Sequence, residues 1–254
     1  MTPPLILITN DDGYQAAGIQ ALARAVSPLG DVYIVAPDGP RSGAAASISS
    51  VTPVSCYPVA DRTIACTGMP VDCVKLSLER ILPRRPDLIL SGINHGDNAS
   101  ISVHYSGTMG AVLEGCLKGI PSIGLSLWMQ RGQRYEDVPV SEDTLAAIAQ
   151  LCQRVIVQGL PQDTCLNINL PPVTSFRGWR VCRQARGQWT AEWLPVEETP
   201  DRRTFQLTGQ FTDLEPDASD TDFAALRAGY ASIVPVTVDM TAHHALERIS
   251  HLTD

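Results

Sequence analysis

The sequence predicts an α/β fold: an open, doubly wound, mostly parallel sheet followed by a C-terminal hairpin extension. Three observations carry that expectation. Short apolar runs alternate with amphipathic segments of helical period over the first 170 or so residues. Several runs end in polar, glycine-containing turns, as strands do when they deliver groups to one edge of a sheet. Past Pro171-Pro172 the texture changes to polar sequence carrying Trp179, Trp189 and Trp193.

The first strand covers 5–8 and stops at Asn10-Asp11-Asp12-Gly13. Ile19, Leu22, Val26 and Leu29 then share a helical face, closed by Ser27-Pro28-Leu29-Gly30, and 32–36 is a second buried strand. Strand, helix and strand at this spacing make a right-handed unit with parallel strands. Val71, Val74, Leu78 and Ile81 mark a helix ended by Pro83, with a strand at 87–91. Met109, Val112, Leu113, Cys116 and Leu117 form the next helix, leading to a strand at 122–127. A helix at 142–157 precedes a strand at 166–170. Beyond it, alternation such as Thr204-Phe205-Gln206-Leu207 predicts hairpins, then a strand at 231–238 and a helix at 242–252. The expected division is a catalytic core over 1–172 and a region at 173–254 that supports oligomerisation and returns to the core.

Composition narrows the function. Hydrophobic residues make up 44% and charged residues 18%, which is globular rather than disordered. A net charge of −8 without a Lys/Arg stripe excludes duplex nucleic acid and anionic membrane as expected partners. The seven cysteines are scattered, with no Cys-x-x-Cys and no zinc spacing, and most are expected to be buried small hydrophobes. The start lacks a basic segment and a long apolar run, so a reducing, cytoplasmic setting is expected.

Asp11 and Asp12 are like charges at a strand tip, and burying them calls for a cation or a proton. The same string also suits a strand-to-helix turn, because Asn and Asp bond local backbone and Gly accepts positive φ. Two further strand ends shift the balance: one runs into Asp38 and Ser42, the other into Asn94, Asp97 and Asn98. Asp, Ser and Asn offer hard oxygen donors, which suit Mg²⁺ or Mn²⁺. Tyr105-Ser106-Gly107-Thr108-Met109-Gly110 opens an apolar helix, and its free N–H groups and hydroxyls serve either as a cap or as an anion seat. Cation and anion seat together suggest phosphoester hydrolysis through activated water. No cysteine-phosphatase loop, Asp-x-Asp nucleophile or P-loop is present.

Six strings in order carry a resemblance: Asn-Asp-Asp-Gly at 10–13; Val-Ala-Pro-Asp at 35–38 with Arg-Ser-Gly at 41–43; Gly-Met-Pro-Val-Asp-Cys-Val at 68–74; Ser-Gly-Ile-Asn at 91–94; Tyr-Ser-Gly-Thr at 105–108; and Thr-Asp-Phe-Ala at 221–224. With these, the chain resembles the survival protein E (SurE) family of metal-dependent nucleotidases. The resemblance implies a Rossmann-like core whose C-terminal portion is exchanged between subunits of a homodimer or homotetramer. It implies hydrolysis of nucleoside 5′-monophosphates, with 3′-monophosphates and short polyphosphate as further substrates. It puts the metal on Asp11, Asp12, Ser42 and Asn94, with Asp11 and Asp12 catalytic, and the phosphate on Asn98, Ser106, Gly107 and Thr108. Val238-Asp239-Met240-Thr241-Ala242-His243 resembles a further family string, which makes Asp239 and His243 supporting residues. His95 and His104 fall where small or variable residues are expected, so both are expected to be exposed, and Asp72 is expected to cap its helix. The competing readings are a non-catalytic nucleotide or phosphate sensor and a metal-dependent deacetylase. The deacetylase needs histidine ligands, and no histidine lies near Asp11 or Ser42 in sequence.

Overall fold

The computed structural model describes residues 2–129, 133, 135, 139–172 and 176–253. The chain runs β1 (Leu5–Thr9), α1 (Ala17–Val26), β2 (Asp31–Pro37), β3 (Cys56–Ala60), β4 (Thr63–Cys66), α2 (Pro70–Leu76), β5 (Leu88–His95), α3 (Gly107–Leu117), β6 (Ser122–Leu127), α4 (Glu142–Gln158) and β7 (Thr164–Leu170). It continues through β8 (Trp179–Val181), β9 (Gly187–Thr190), β10 (Trp193–Glu198), β11 (Arg203–Leu207), β12 (Gln210–Asp213), α5 (Asp222–Arg227), β13 (Ala231–Thr237) and α6 (Leu246–Ser250).

The main sheet has the order β3-β4-β2-β1-β5-β6-β7-β13-β8. Strands β4 to β7 in that order are parallel; β3 pairs antiparallel with β4, and β13 antiparallel with β7. From β1 the chain builds outward on one side through β2 and β4, then crosses back to β5 on the other. The order therefore reverses between β1 and β5, and a doubly wound sheet opens a crevice at such a point, beyond the carboxyl ends of the strands.

Both faces of the sheet are covered, which is why β1 is buried along its whole length. Ile6 and Ile8 join the core beneath α1 and α4, which includes Leu22 and Ile148. Leu7 points the other way, toward Cys73 and Val74 of α2 and Ala111 of α3.

Several elements differ from the sequence expectation. β5 does not stop at Ser91 but continues to His95, after an irregularity in its pairing with β6 between Ser91 and Asn94. Gly92 makes this possible: its φ is 129°, and a side chain there would overlap the Leu125 carbonyl. Asn94 is thus a strand residue, not a loop residue. The β3/β4 hairpin carried no clear sequence signal, and it sets Cys56 opposite Cys66 in a disulfide. The other five cysteines are free and buried, as expected of most of the seven. α2 runs on as a π-helical turn at Ser77–Ile81. The single helix expected at 242–252 is broken into His243–Ala245, α6 and His251–Thr253, with no residue of α6 buried. An unpacked segment of that length is too short to sustain a regular helix alone. Asp72 does cap α2, accepting the Met69 N–H at 2.9 Å.

After β8 a long double hairpin forms two small sheets, β9 with β12 and β10 with β11. Trp193, Leu194, Val196 and Leu207 of its outer part are exposed.

Candidate active site

Asp11 and Asp12 stand at the order reversal. Asn10 fixes their turn by donating from its side chain to the Gly13 carbonyl at 2.9 Å and accepting the Gly13 N–H at 3.1 Å. Asp11 is 5% exposed. Its carboxylate accepts the Thr108 hydroxyl at 2.6 Å, and its carbonyl accepts the Arg41 N–H at 2.7 Å. Asp12 accepts the His95 backbone N–H at 3.1 Å.

Burial pushes both carboxyls above the usual carboxylate range. For Asp11 the Thr108 bond opposes the rise and the neighbouring Asp12 charge adds to it; for Asp12 the His95 side chain and backbone oppose it. Among the described residues neither carboxylate forms an ion pair with lysine or arginine. One buried and one half-buried carboxylate, with only the His95 ring as a basic neighbour, can hold a cation between them.

Asn94 donates from its amide nitrogen to the Gly96 carbonyl at 2.8 Å, which leaves the amide oxygen for the cavity. Ser42 is exposed, in a loop docked on the start of α3 by the Ala45 N–H to the Tyr105 carbonyl at 3.1 Å. All four expected metal residues line one cavity of about 520 Å³. No cluster of three or more His, Cys, Asp or Glu suited to a metal occurs among the described residues. A cation here would rest on two carboxylates and neutral Ser and Asn oxygens, a donor set that fits Mg²⁺ or Mn²⁺ and not zinc.

The expected phosphate residues divide. Asn98 and Ser106 line the cavity. The Ser106 hydroxyl oxygen also accepts the Met109 N–H at 3.0 Å as the cap of α3. Thr108 is fully buried, does not line the cavity, and spends its hydroxyl on Asp11. Gly107 permits a close approach, but of Asp11: a Cβ there would come within 2.8 Å of the Asp11 Cβ.

Asp239 and His243 lie outside the cavity and pair with each other at 2.7 Å, their side chains 51% and 71% exposed. The Thr241 hydroxyl and N–H and the His243 ring hold the Asp239 carboxyl down at about 2.

Further residues complete the site. His95, expected to be exposed, lines the cavity, stacks on Tyr135 at 4.8 Å, and brings its Nδ1 to 4.0 Å from Asp12. A histidine therefore does stand beside Asp12, brought there by β5 pairing with β1, although one imidazole falls short of a zinc set. His104 is exposed, as expected. Behind Asn98 lies a buried polar network. Its amide donates to Ser126 at 2.7 Å, its backbone N–H to Asn169 at 2.7 Å, and its carbonyl accepts from Asn167 at 2.8 Å. The sequence signal was present: Ser and Asn inside apolar strands need partners when buried. Asp222 is fully buried and accepts the N–H groups of Ser100 at 2.7 Å, Ala185 at 3.0 Å and Phe223 at 2.8 Å. It thereby ties the segment after Asn98 to the root of the double hairpin. That hairpin closes the cavity with Trp189, Glu192, Trp193, Leu207 and Thr208.

A doubly wound, mostly parallel α/β sheet with paired carboxylates, neutral oxygen donors and a helix N-terminus gathered at its order reversal defines a Rossmann-like protein. Comparison with known proteins gives the particular family: the chain belongs to the survival protein SurE family, whose profile matches residues 6–191. It is 46% identical over 252 residues to the 5′-nucleotidase SurE of Phocaeicola vulgatus, covering 98% of this chain and 96% of that one. The 5′-nucleotidase SurE of Bacteroides thetaiotaomicron is likewise 46% identical over 252 residues, with 97% and 95% covered. The crystal structure of the SurE protein from Aquifex aeolicus superposes with a TM-score of 0.82 at 32% identity, covering 99% of this chain and 100% of that one.

Proposed function

We propose that this protein is a divalent-metal-dependent 5′-nucleotidase that hydrolyses nucleoside 5′-monophosphates to nucleoside and phosphate. The observation that carries the reading is the pair of adjacent carboxylates without a lysine or arginine partner, Asp11 buried against the N-terminus of α3 and Asp12 beside it, lining one cavity with Ser42 and Asn94. The activity named for the relatives from Phocaeicola and Bacteroides supports it. Asp11, Asp12, Asn94 and Ser42 would hold Mg²⁺ or Mn²⁺, which supplies water activation and neutralises phosphate charge.

The chain's own residues do the rest. Thr108 orients the Asp11 carboxylate, and the His95 N–H orients that of Asp12. Ser106 and Asn98 face the phosphate oxygens, and the N-terminal dipole of α3 favours negative charge at that place. The seat recognises a phosphate and a cation, so 3′-monophosphates and the ends of short polyphosphates belong to the same proposal.

Release of inorganic phosphate from a nucleoside monophosphate with Mn²⁺ or Mg²⁺, abolished by chelator and by Asp11→Asn, is the expected result. Tight nucleotide binding without turnover would replace the enzyme with a sensor. The exposed apolar residues of β10, β11 and α6 support a homodimer or homotetramer built through 173–254, to be read as solution mass by light scattering. No helix among the described residues is long and apolar enough to cross a membrane.

A further inference from the structure

The cavity has walls of two kinds. The strand tips and the start of α3 supply carboxylates, amides and a hydroxyl; the double hairpin supplies Trp189, Trp193 and Leu207. Its volume of about 520 Å³ lies in the range of sites that enclose a whole small organic ligand, which a phosphate alone would not fill.

Trp189 differs from Trp193 in how it is held. Trp193 is 62% exposed. Trp189 is half-buried, and its ring meets Phe211 edge-to-face at 5.5 Å and 70°. Phe211 in turn packs on Phe223 at 4.8 Å, and Phe223 on Trp128 at 6.2 Å, just past the end of β6. Four rings thus run from the cavity wall back into the main domain, so the indole at the wall is braced by contacts that begin in the core. A planar, pre-positioned aromatic ring in the wall of a cavity that also holds Asn98 and Ser106 is suited to stacking a heterocycle, because every nucleobase has a π-face and a fixed ring loses little entropy on binding.

Resting on the phosphomonoesterase reading above, we propose that Trp189 is the base-stacking platform of the site, selecting phosphomonoesters that carry a planar heteroaromatic base over bare sugar phosphates. Purines, with the larger face, gain most from it, while the phosphate end treats all these esters alike.

The test compares AMP with ribose 5-phosphate, which keeps the sugar and phosphate and lacks the base, in wild type, Trp189→Ala and Trp189→Phe. The quantity read is the ratio of kcat/KM for AMP to that for ribose 5-phosphate. The expected result is a ratio well above one in wild type, a fall of roughly 5- to 100-fold in Trp189→Ala carried by KM for AMP, and recovery of most of it in Trp189→Phe. Equal losses on both substrates in Trp189→Ala, or an unchanged ratio, would overturn the proposal, and so would a wild-type ratio near one. Should wild type cleave neither ester, the phosphomonoesterase reading fails. Calorimetric titration of AMP and ribose 5-phosphate into the same three proteins then decides the platform by the same ratio of affinities.

Discussion

The Thr108 hydroxyl donates to the Asp11 carboxylate at 2.6 Å in a fully enclosed position, joining the start of α3 to the tip of β1. The bond fixes one rotamer of a carboxylate that burial would otherwise neutralise. Removing it with Thr108→Val, close to isosteric, is expected to weaken Mn²⁺ affinity or turnover roughly 10- to 100-fold. Thr108→Ser should keep most of both. Metal titration of phosphate release by the two variants checks this, and equal losses in Val and Ser would assign the effect to packing instead.

Asp11→Asn carries a stability prediction with a definite sign. Burial raises Asp11 and Asp12 above their unfolded values, so the metal-free folded protein holds protons more tightly than the unfolded chain. That contribution is complete below the unfolded carboxyl range and is lost as pH rises through the folded values. Chelated Asp11→Asn is therefore expected to melt above chelated wild type in mildly alkaline buffer, with the gap closing in acid. Adding Mn²⁺ should raise the melting temperature of wild type and leave the variant nearly unmoved. Thermal melts with and without chelator across pH decide it.

Gly107→Ala tests how closely α3 approaches the carboxylates. The added methyl would meet the Asp11 Cβ at 2.8 Å and its Oδ2 at 2.9 Å. Because Asp11 is buried and tethered, the conflict is expected to cost about 1–3 kcal/mol of stability and to displace the carboxylate enough to remove most activity. Chemical denaturation and kcat measured together separate the two effects.

Asp222→Ala leaves the N–H groups of Ser100 and Ala185 without their buried acceptor. A loss of about 2–4 kcal/mol is expected, because bonds to a charged acceptor are among the stronger ones. Asp222→Asn keeps the shape and one acceptor and should lie between. Because Asp222 joins the hairpin root to the segment after Asn98, the substrate KM is expected to rise in both variants more than kcat falls. Denaturation curves beside steady-state kinetics distinguish this from simple destabilisation, which would lower the active fraction at constant KM.

The parallel core was legible because its signals are local. The continuous apolar run of β1, the helical period of α1 and α4, and the carboxylates, serine and asparagine near three strand ends all follow from spacing along the chain. What was hidden depends on pairing at a distance. Gly92 next to Ser91 looked like the end of a strand, whereas the strand bulges there and carries Asn94 and His95 onward beside β6. A hydroxyl at the start of a helix can cap it, touch phosphate or steady a carboxylate, and only the position of Asp11 assigns Thr108 to the last of these. The tryptophans were visible as a change of texture, yet their place over the cleft depends on a hairpin folding back across more than ninety residues of intervening chain, for which local pattern carries no information.

Asp11 and Asn94 each lie just past or at the end of strands that are hydrogen-bonded neighbours, with Thr9 of β1 opposite Ser91 of β5. The distance between these donors is therefore a property of the ladder, counted in residues from the last shared rung. Adding or deleting one residue inside β1 or β5 ahead of that rung would turn side chains to the opposite side of the sheet, a change that no rotamer can undo. The distal turn joining β10 to β11, on the exposed hairpin, carries no such counting constraint. In this molecule the tolerance for insertions and deletions is thus set by which strands must keep count with one another.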